Sequence, residues 1–219
     1  MFIEKLQYIT QETATLSHID CVREACIAGV KWIQLRVKDK TTEEYLEIAK
    51  EAKIICDLYD VILIINDNVE VADKVNAHGV HLGRADMYIS EARSILGEHA
   101  IIGGTANTIK DVERLIEQGA NYIGLGPYRF TNTKKQLSPM LGAEGYDEIL
   151  NQLKTYYSLN ETPIVAIGGI EMEDINELME TGVYGVAVSG MLTNDFSITE
   201  RLLKTIDRNQ FKFDALAKN

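Results

Sequence analysis

A chain of 219 residues, 46% of them hydrophobic, is long enough to bury one large core and falls within the span of a single α/β barrel. Its formal net charge of −11 opposes nonspecific attachment to nucleic acid or anionic lipid. No basic leader with an apolar run and no stretch of about 18 uncharged apolar residues is present, so a secretory signal and a membrane-spanning helix are not expected.

Cys21, Cys26 and Cys56 are odd in number and lack paired C-x-x-C spacing, and His78 and His81 supply only part of a soft-metal set. They read as buried thiols. The expected setting is the cytoplasm, with phosphorylated small molecules as partners rather than nucleic acid or membrane; a homo-oligomer is compatible with this composition.

In chain order, eight short runs rich in β-branched residues recur at 6–10, 32–36, 62–67, 79–83, 101–105, 122–127, 163–169 and 185–190. Most hold consecutive Val, Ile or Leu residues, the pattern of parallel strands covered on both faces. Between them lie segments of helical periodicity. Some open on hydroxyl caps and early acids, as in Thr41-Thr42-Glu43-Glu44 and Asn107-Thr108-Ile109-Lys110-Asp111. Others close on Gly29, Gly119 or Gly182. Eight such units, with no G-x-G-x-x-G after the first strand, favour a closed (β/α)8 TIM barrel over an open doubly wound sheet. Residues 1–206 are assigned to one catalytic barrel domain, and 207–219 to a C-terminal tail that adds a final helix turn with a frayed end.

In such a barrel, positions at the C-terminal ends of the strands share one rim. After the second run, Gln34, Arg36 and Lys38 are spaced two apart and project to the same side, a set that calls for an anion such as a diphosphate. The third run ends in Asn66-Asp67 and the fourth leads to Asp86. Two carboxylates from neighbouring strand ends suit Mg²⁺, with Asp86 alternatively capping a helix that begins at Met87. His81 reads as a satisfied interior histidine. Thr105 offers a rim hydroxyl to a phosphate oxygen. The sixth run feeds a long irregular segment with Thr131, Thr133, Lys134 and Lys135, which reads as a mobile flap closing over the substrates. The last two runs end in Gly168-Gly169 and Ser189-Gly190, where small residues let backbone N–H groups approach a phosphate. One rim with two anion sites points to group transfer.

Five ordered motifs, Gln34-Leu35-Arg36-Val37-Lys38, Ile65-Asn66-Asp67, Gly79-Val80-His81-Leu82-Gly83, Thr131-Asn132-Thr133-Lys134 and Ala166-Ile167-Gly168-Gly169-Ile170, closely resemble the thiamine phosphate synthase family over roughly residues 6–192. That resemblance implies a Mg²⁺-dependent transferase. It would join 4-amino-2-methyl-5-hydroxymethylpyrimidine diphosphate to 4-methyl-5-(2-hydroxyethyl)thiazole phosphate and release diphosphate. By the same resemblance Gln34, Arg36, Lys38, Asn66, Thr105 and Lys134 hold the pyrimidine diphosphate, Asp67 and Asp86 bind Mg²⁺, and Thr131, Thr133, Gly168, Gly169 and Ser189 line the thiazole phosphate site. Arg36, Lys38 and Lys134 are the catalytic cations.

Three positions depart from the family pattern. Val37 stands where an acid is frequent, Arg84 where glutamine is common, and Thr105 where serine is usual. Val37 should face away from the ligand, and Arg84 should add charge beside Asp86. The competing readings are a thiazole tautomerase, another phosphate-binding barrel isomerase, and a noncatalytic thiamine-related sensor.

Overall fold

The computed structural model describes residues 3–130, 139–156 and 162–216. Eight parallel strands form a closed barrel: β1 (Leu6–Ile9), β2 (Trp32–Leu35), β3 (Ile62–Asn66), β4 (Gly79–Leu82), β5 (Ile101–Ala106), β6 (Tyr122–Leu125), β7 (Ile164–Ile167) and β8 (Gly185–Val188) pair in order, and β8 closes on β1. Each strand begins and ends within a few residues of the run expected from sequence. Around them lie α1 (His18–Ile27), α2 (Thr42–Leu58), α3 (Val69–Lys74), α4 (Ile89–Leu96), α5 (Ile109–Glu117), α6 (Gly142–Tyr156), α7 (Ile175–Thr181), α8 (Gly190–Asn194) and α9 (Thr199–Leu216). The last helix continues well past Ile206, more than the single turn expected there.

Local chemistry sets the helix ends. Thr41 caps α2 and Thr108 caps α5, each in a capping box with the acid three residues on, Glu44 and Asp111. Gly29, Gly119 and Gly182 take positive φ where α1, α5 and α7 give way to the next strand.

Two apolar layers follow from strand alternation. Outward residues such as Ile33, Leu35, Leu63 and Val80 pack under the helices with the buried Cys21, Cys26 and Cys56. Inward, Trp32, Ile64, Ile101, Tyr122, Val165 and Ala187 plug the lower barrel. Trp32 and Tyr122 meet edge to face at 4.8 Å, and Trp32 Nε1 is the one buried side-chain polar atom without a hydrogen-bond partner among the described residues.

Two helix tyrosines tie neighbouring strand ends. The Tyr45 hydroxyl donates to Leu35 O at 2.6 Å and accepts from Asn66 N at 3.2 Å, joining the ends of β2 and β3. Tyr146 does the same for β6 and β7, donating to Leu125 O and accepting from Ile167 N.

Glycines on the inner face make room for large polar side chains. Asn66, His81, Gly103 and Tyr122 follow one register line across β3 to β6. A Cβ at Gly103 would lie 2.1 Å from Tyr122 Cζ, inside the ring. Gly103→Ala is therefore expected to lower unfolding stability by about 1–3 kcal/mol, the range for overpacking a filled core. Urea denaturation measures it, and an unchanged midpoint would mean that the Tyr122 ring is not held against this strand.

Candidate active site

The C-terminal ends of the strands open into a cavity of about 280 Å³. That is near the lower end for small-molecule sites, which run from about 300 to 1,000 Å³, so it suits ring-sized ligands. Gln34, Arg36, Asn66, His81 and Thr105 line one wall, and Gly126, Ile167, Gly168, Gly169 and Ser189 line the other. One wall offers side-chain donors, and the other offers mainly backbone.

The side-chain wall is built by extended-chain alternation. Gln34 and Arg36 face inward while Val37 is buried in the outer layer, away from the cavity as expected. The Thr10 hydroxyl accepts from Arg36 N at 3.0 Å and bonds His18 Nδ1 at 3.0 Å, which fixes the backbone where β2 leaves the barrel. Burial lowers the Arg36 pKa, with the nearby Asp67 acting in the opposite direction. A guanidinium remains charged regardless.

At the rim, Lys38 Nζ forms a short ion pair with Asp67, which itself sits at φ 65° just beyond β3. Burial pushes Asp67 up, but the bond from Lys38 and a contact with Asp86 outweigh it and hold the acid below its usual range. Asp86 goes the other way: burial and then the facing Asp67 raise it. Asp86 also accepts from Gly83 N at 2.6 Å, closing the turn after β4. It does not cap a helix at Met87, because α4 starts at Ile89 with Tyr88 as its N-cap.

A file of hydrogen bonds runs beneath the cavity. Gln34 Nε2 donates to Gln7 Oε1 at 3.0 Å, and Gln7 Nε2 donates to the Tyr122 hydroxyl at 3.2 Å. That hydroxyl meets His81 Nδ1 at 2.9 Å, and His81 Nε2 meets Thr105 Oγ1 at 2.9 Å. Gln7, Gln34 and Tyr122 are all 1% exposed or less. His81 is thus a bonded interior histidine, as read from sequence, and it also lines the cavity.

On the backbone wall, Gly168 and Gly169 have φ of 96° and 69°, and a Cβ at either would collide with Pro127 or Arg129. The wall is therefore bare of side chains at both positions. Ser189 Oγ donates to Gln11 Oε1 at 3.2 Å, so Gln11, at the end of β1, joins the site.

Gln34, Arg36, Asn66, Thr105, Gly168, Gly169 and Ser189 therefore share one cavity, with Lys38, Asp67 and Asp86 clustered at the strand ends. Thr131, Thr133 and Lys134 lie outside the described residues. Sequence reasoning missed Gln7, Gln11 and Tyr122. The available signal was a glutamine inside an apolar strand, since a buried amide needs a partner.

Comparisons with known proteins identify the family. A family model described as thiamine monophosphate synthase matches residues 6–192. The thiamine-phosphate synthase of Flavobacterium johnsoniae is 51% identical over 189 residues, covering 86% of this chain and 88% of that protein. That of Bacteroides fragilis is 51% identical over 191 residues, covering 85% and 91%. The solved thiamine phosphate pyrophosphorylase from Pyrococcus furiosus superposes with a TM-score of 0.77 at 30% identity, over 92% of this chain and 96% of that one.

Arg84 does not add its charge to Asp86. Its guanidinium turns to Asp111 and bonds both carboxylate oxygens at 2.7 and 2.6 Å, because that buried acid already caps α5 and attracts a cation. Burial pushes Asp111 up, but bonds from Thr108, Arg84 and Asn107 N more than offset this and hold it below its usual value. Its stabilisation is thus fully present above the unfolded pKa of about 3.9 and fades as pH falls through the lower folded value. Asp111→Ala should cost about 1–2 kcal/mol at neutral pH through loss of its capping-box bonds and its pair with Arg84. The gap between the denaturation curves of the two proteins should begin to narrow as pH falls below about 4 and go on narrowing through the lower folded value, and a gap of unchanged size in acid would show that the carboxylate's charge contributes nothing.

Proposed function

The chain belongs to the thiamine monophosphate synthase family and is a transferase of that type, and from this we propose how its residues divide the work of joining a pyrimidine diphosphate to a thiazole phosphate. The observation that carries the assignment is the pairing of two walls on one cavity. A donor-rich wall holds Arg36, Asn66 and Thr105, and a side-chain-free wall at Gly168 and Gly169 faces it.

The diphosphate lies against the first wall, with Lys38 and, by family resemblance, Lys134 reaching it from the rim. Gln34 and Asn66 border the pyrimidine. The phosphate of the thiazole substrate takes the second wall, where Gly168, Gly169 and Ser189 lie, with Thr131 and Thr133 assigned there by the same resemblance.

A divalent cation fits the rim. Two carboxylates, Asp67 and Asp86, face each other there, and burial together with that contact raises Asp86. Among the described residues no cluster of three or more His, Cys, Asp or Glu stands ready to enclose an ion. Two carboxylates completed by substrate phosphates and water are the usual provision for Mg²⁺. When bound, Mg²⁺ neutralises charge on the departing diphosphate.

The reaction breaks the bond between the pyrimidine methylene carbon and the diphosphate oxygen, and that carbon then bonds to the thiazole nitrogen. The electron pair leaves with diphosphate, so negative charge grows beside Arg36 and Lys38, where cations in a partly dry site are most effective. No protein nucleophile is required. The remaining work is to orient the thiazole nitrogen and to keep water from the carbocation.

Purified protein should release diphosphate only when both substrates and Mg²⁺ are supplied. Release with one substrate alone, or tautomerisation of a thiazole carboxylate phosphate instead, would replace this reading. Lys38 occupies the Asp67 carboxylate, so the two residues should titrate metal in different ways. Asp67→Ala should raise the half-saturating Mg²⁺ concentration. Lys38→Ala should not raise it, and should lower kcat by about 10²-fold through lost charge stabilisation. Identical Mg²⁺ dependence in the two variants would contradict the division of roles.

A further inference from the structure

We infer that Tyr122 and His81 are positioning residues that commit the Thr105 hydroxyl proton to the ligand in the cavity. The inference rests on the reading above in one respect: the ligand carries an anion at Thr105.

The direction of the hydrogen-bond file supports it. Gln34 Nε2 donates to Gln7 Oε1, so the Gln7 amide presents its nitrogen to Tyr122. The Tyr122 oxygen therefore accepts, and its own proton needs a second acceptor. His81 Nδ1, at 2.9 Å, provides one. Tyr122 is fully buried, and burial holds its phenol protonated against the bond from Gln7, so it donates throughout the physiological range. A neutral imidazole that accepts at Nδ1 must carry its proton on Nε2. Nε2–H then donates to Thr105 Oγ1 at 2.9 Å. With that lone pair engaged, the Thr105 proton is directed away from His81, and Thr105 lines the cavity.

The opposite sense fails on both ends. With the Gln7 nitrogen facing Tyr122, Nδ1–H pointing at the phenol would leave it accepting twice with its own proton unbonded in a dry interior. Thr105 would then donate to His81 and turn only lone pairs toward an anion.

Space has been cleared for this arrangement. Gly103 stands where a Cβ would enter the Tyr122 ring, and a Cβ at Gly124 would lie 3.1 Å from His81 Cε1. The β-branched Thr105 has a restricted χ1, which holds its oxygen on His81 more firmly than serine would.

The tautomer is read directly on the unmodified, ligand-free enzyme with ¹⁵N-labelled imidazoles. Two-bond proton–nitrogen correlations on its four histidines are recorded, with the His81 signals assigned by their loss in His81→Gln. An Nε2–H form is expected, shifting toward a mixture in Tyr122→Phe; an Nδ1–H form in the unmodified protein overturns the proposal. Turnover supplies the second reading. Tyr122→Phe should lower kcat about tenfold with a smaller change in KM, because the Thr105 bond strengthens as charge develops on the leaving group. His81→Gln places an amide nitrogen near the Nε2 position and should recover most of the activity. His81→Asn does not reach Thr105 and should match Thr105→Val. Equal losses in the Gln and Asn variants would reduce His81 to a packing role and overturn the proposal. Absence of turnover in the unmodified enzyme would instead strike the assigned reaction, leaving the tautomer to decide the relay alone.

Discussion

An eight-stranded barrel encloses a space only as wide as its own side chains can fill, and a polar group placed inside is costly without a partner there, a cost that among the described residues only Trp32 Nε1 bears. This double demand shapes the molecule. The lower interior is closed by Trp32, Ile64, Tyr122 and their neighbours, and a single polar file rises through it from Gln34 and Gln7 to Thr105. Glycines at 103 and 124 are the volume that this file displaces. The cavity lies directly above this file, and Gln34, His81 and Thr105 belong to both.

The rim works by a different balance. A protein of net charge −11 gathers cations at a mouth meant for phosphorylated molecules, and holds them in check with its own acids. Lys38 rests on Asp67, Asp67 faces Asp86, and Asp86 is tethered to the turn at Gly83. Lys38 and Asp67 are paired, and Asp86 is held by the Gly83 backbone, so these side chains are already bonded within the protein. This arrangement supplies affinity for an anion without leaving bare charge near the interior.

Much of this was legible in the sequence. Consecutive Ile, Leu and Val between helical segments located all eight strands, since parallel strands buried on both faces need no alternation. The two-residue spacing of Gln34, Arg36 and Lys38 was sufficient to place the first two in the cavity and Val37 behind them. Arg84 shows where such reading stops. Its sequence neighbour Asp86 was the obvious partner, yet Asp111, 27 residues away, accepts it because a buried helix cap draws a cation more strongly. Gln7 and Tyr122 escaped for a related reason: a glutamine inside an apolar strand signals that a partner is needed, but the partner lies 115 residues away. The helix beyond Ile206 was underread because its polar composition marks a solvated face as readily as a frayed end.

The tyrosine ties between strand ends carry one more implication. Tyr45 joins the strand that ends at Arg36 and Lys38 to the strand that ends at Asn66 and Asp67, while Tyr146 joins the strand leading to Gly126 to the one leading to Gly168. A phenol is a rigid spacer of fixed reach. The two gauges stand four strands apart, on opposite sides of the ring, and each is mounted on an outer helix. The spacing of these strand ends is thus tied to two outer helices, so α2 and α6 help to hold the mouth in shape although neither helix lines the cavity.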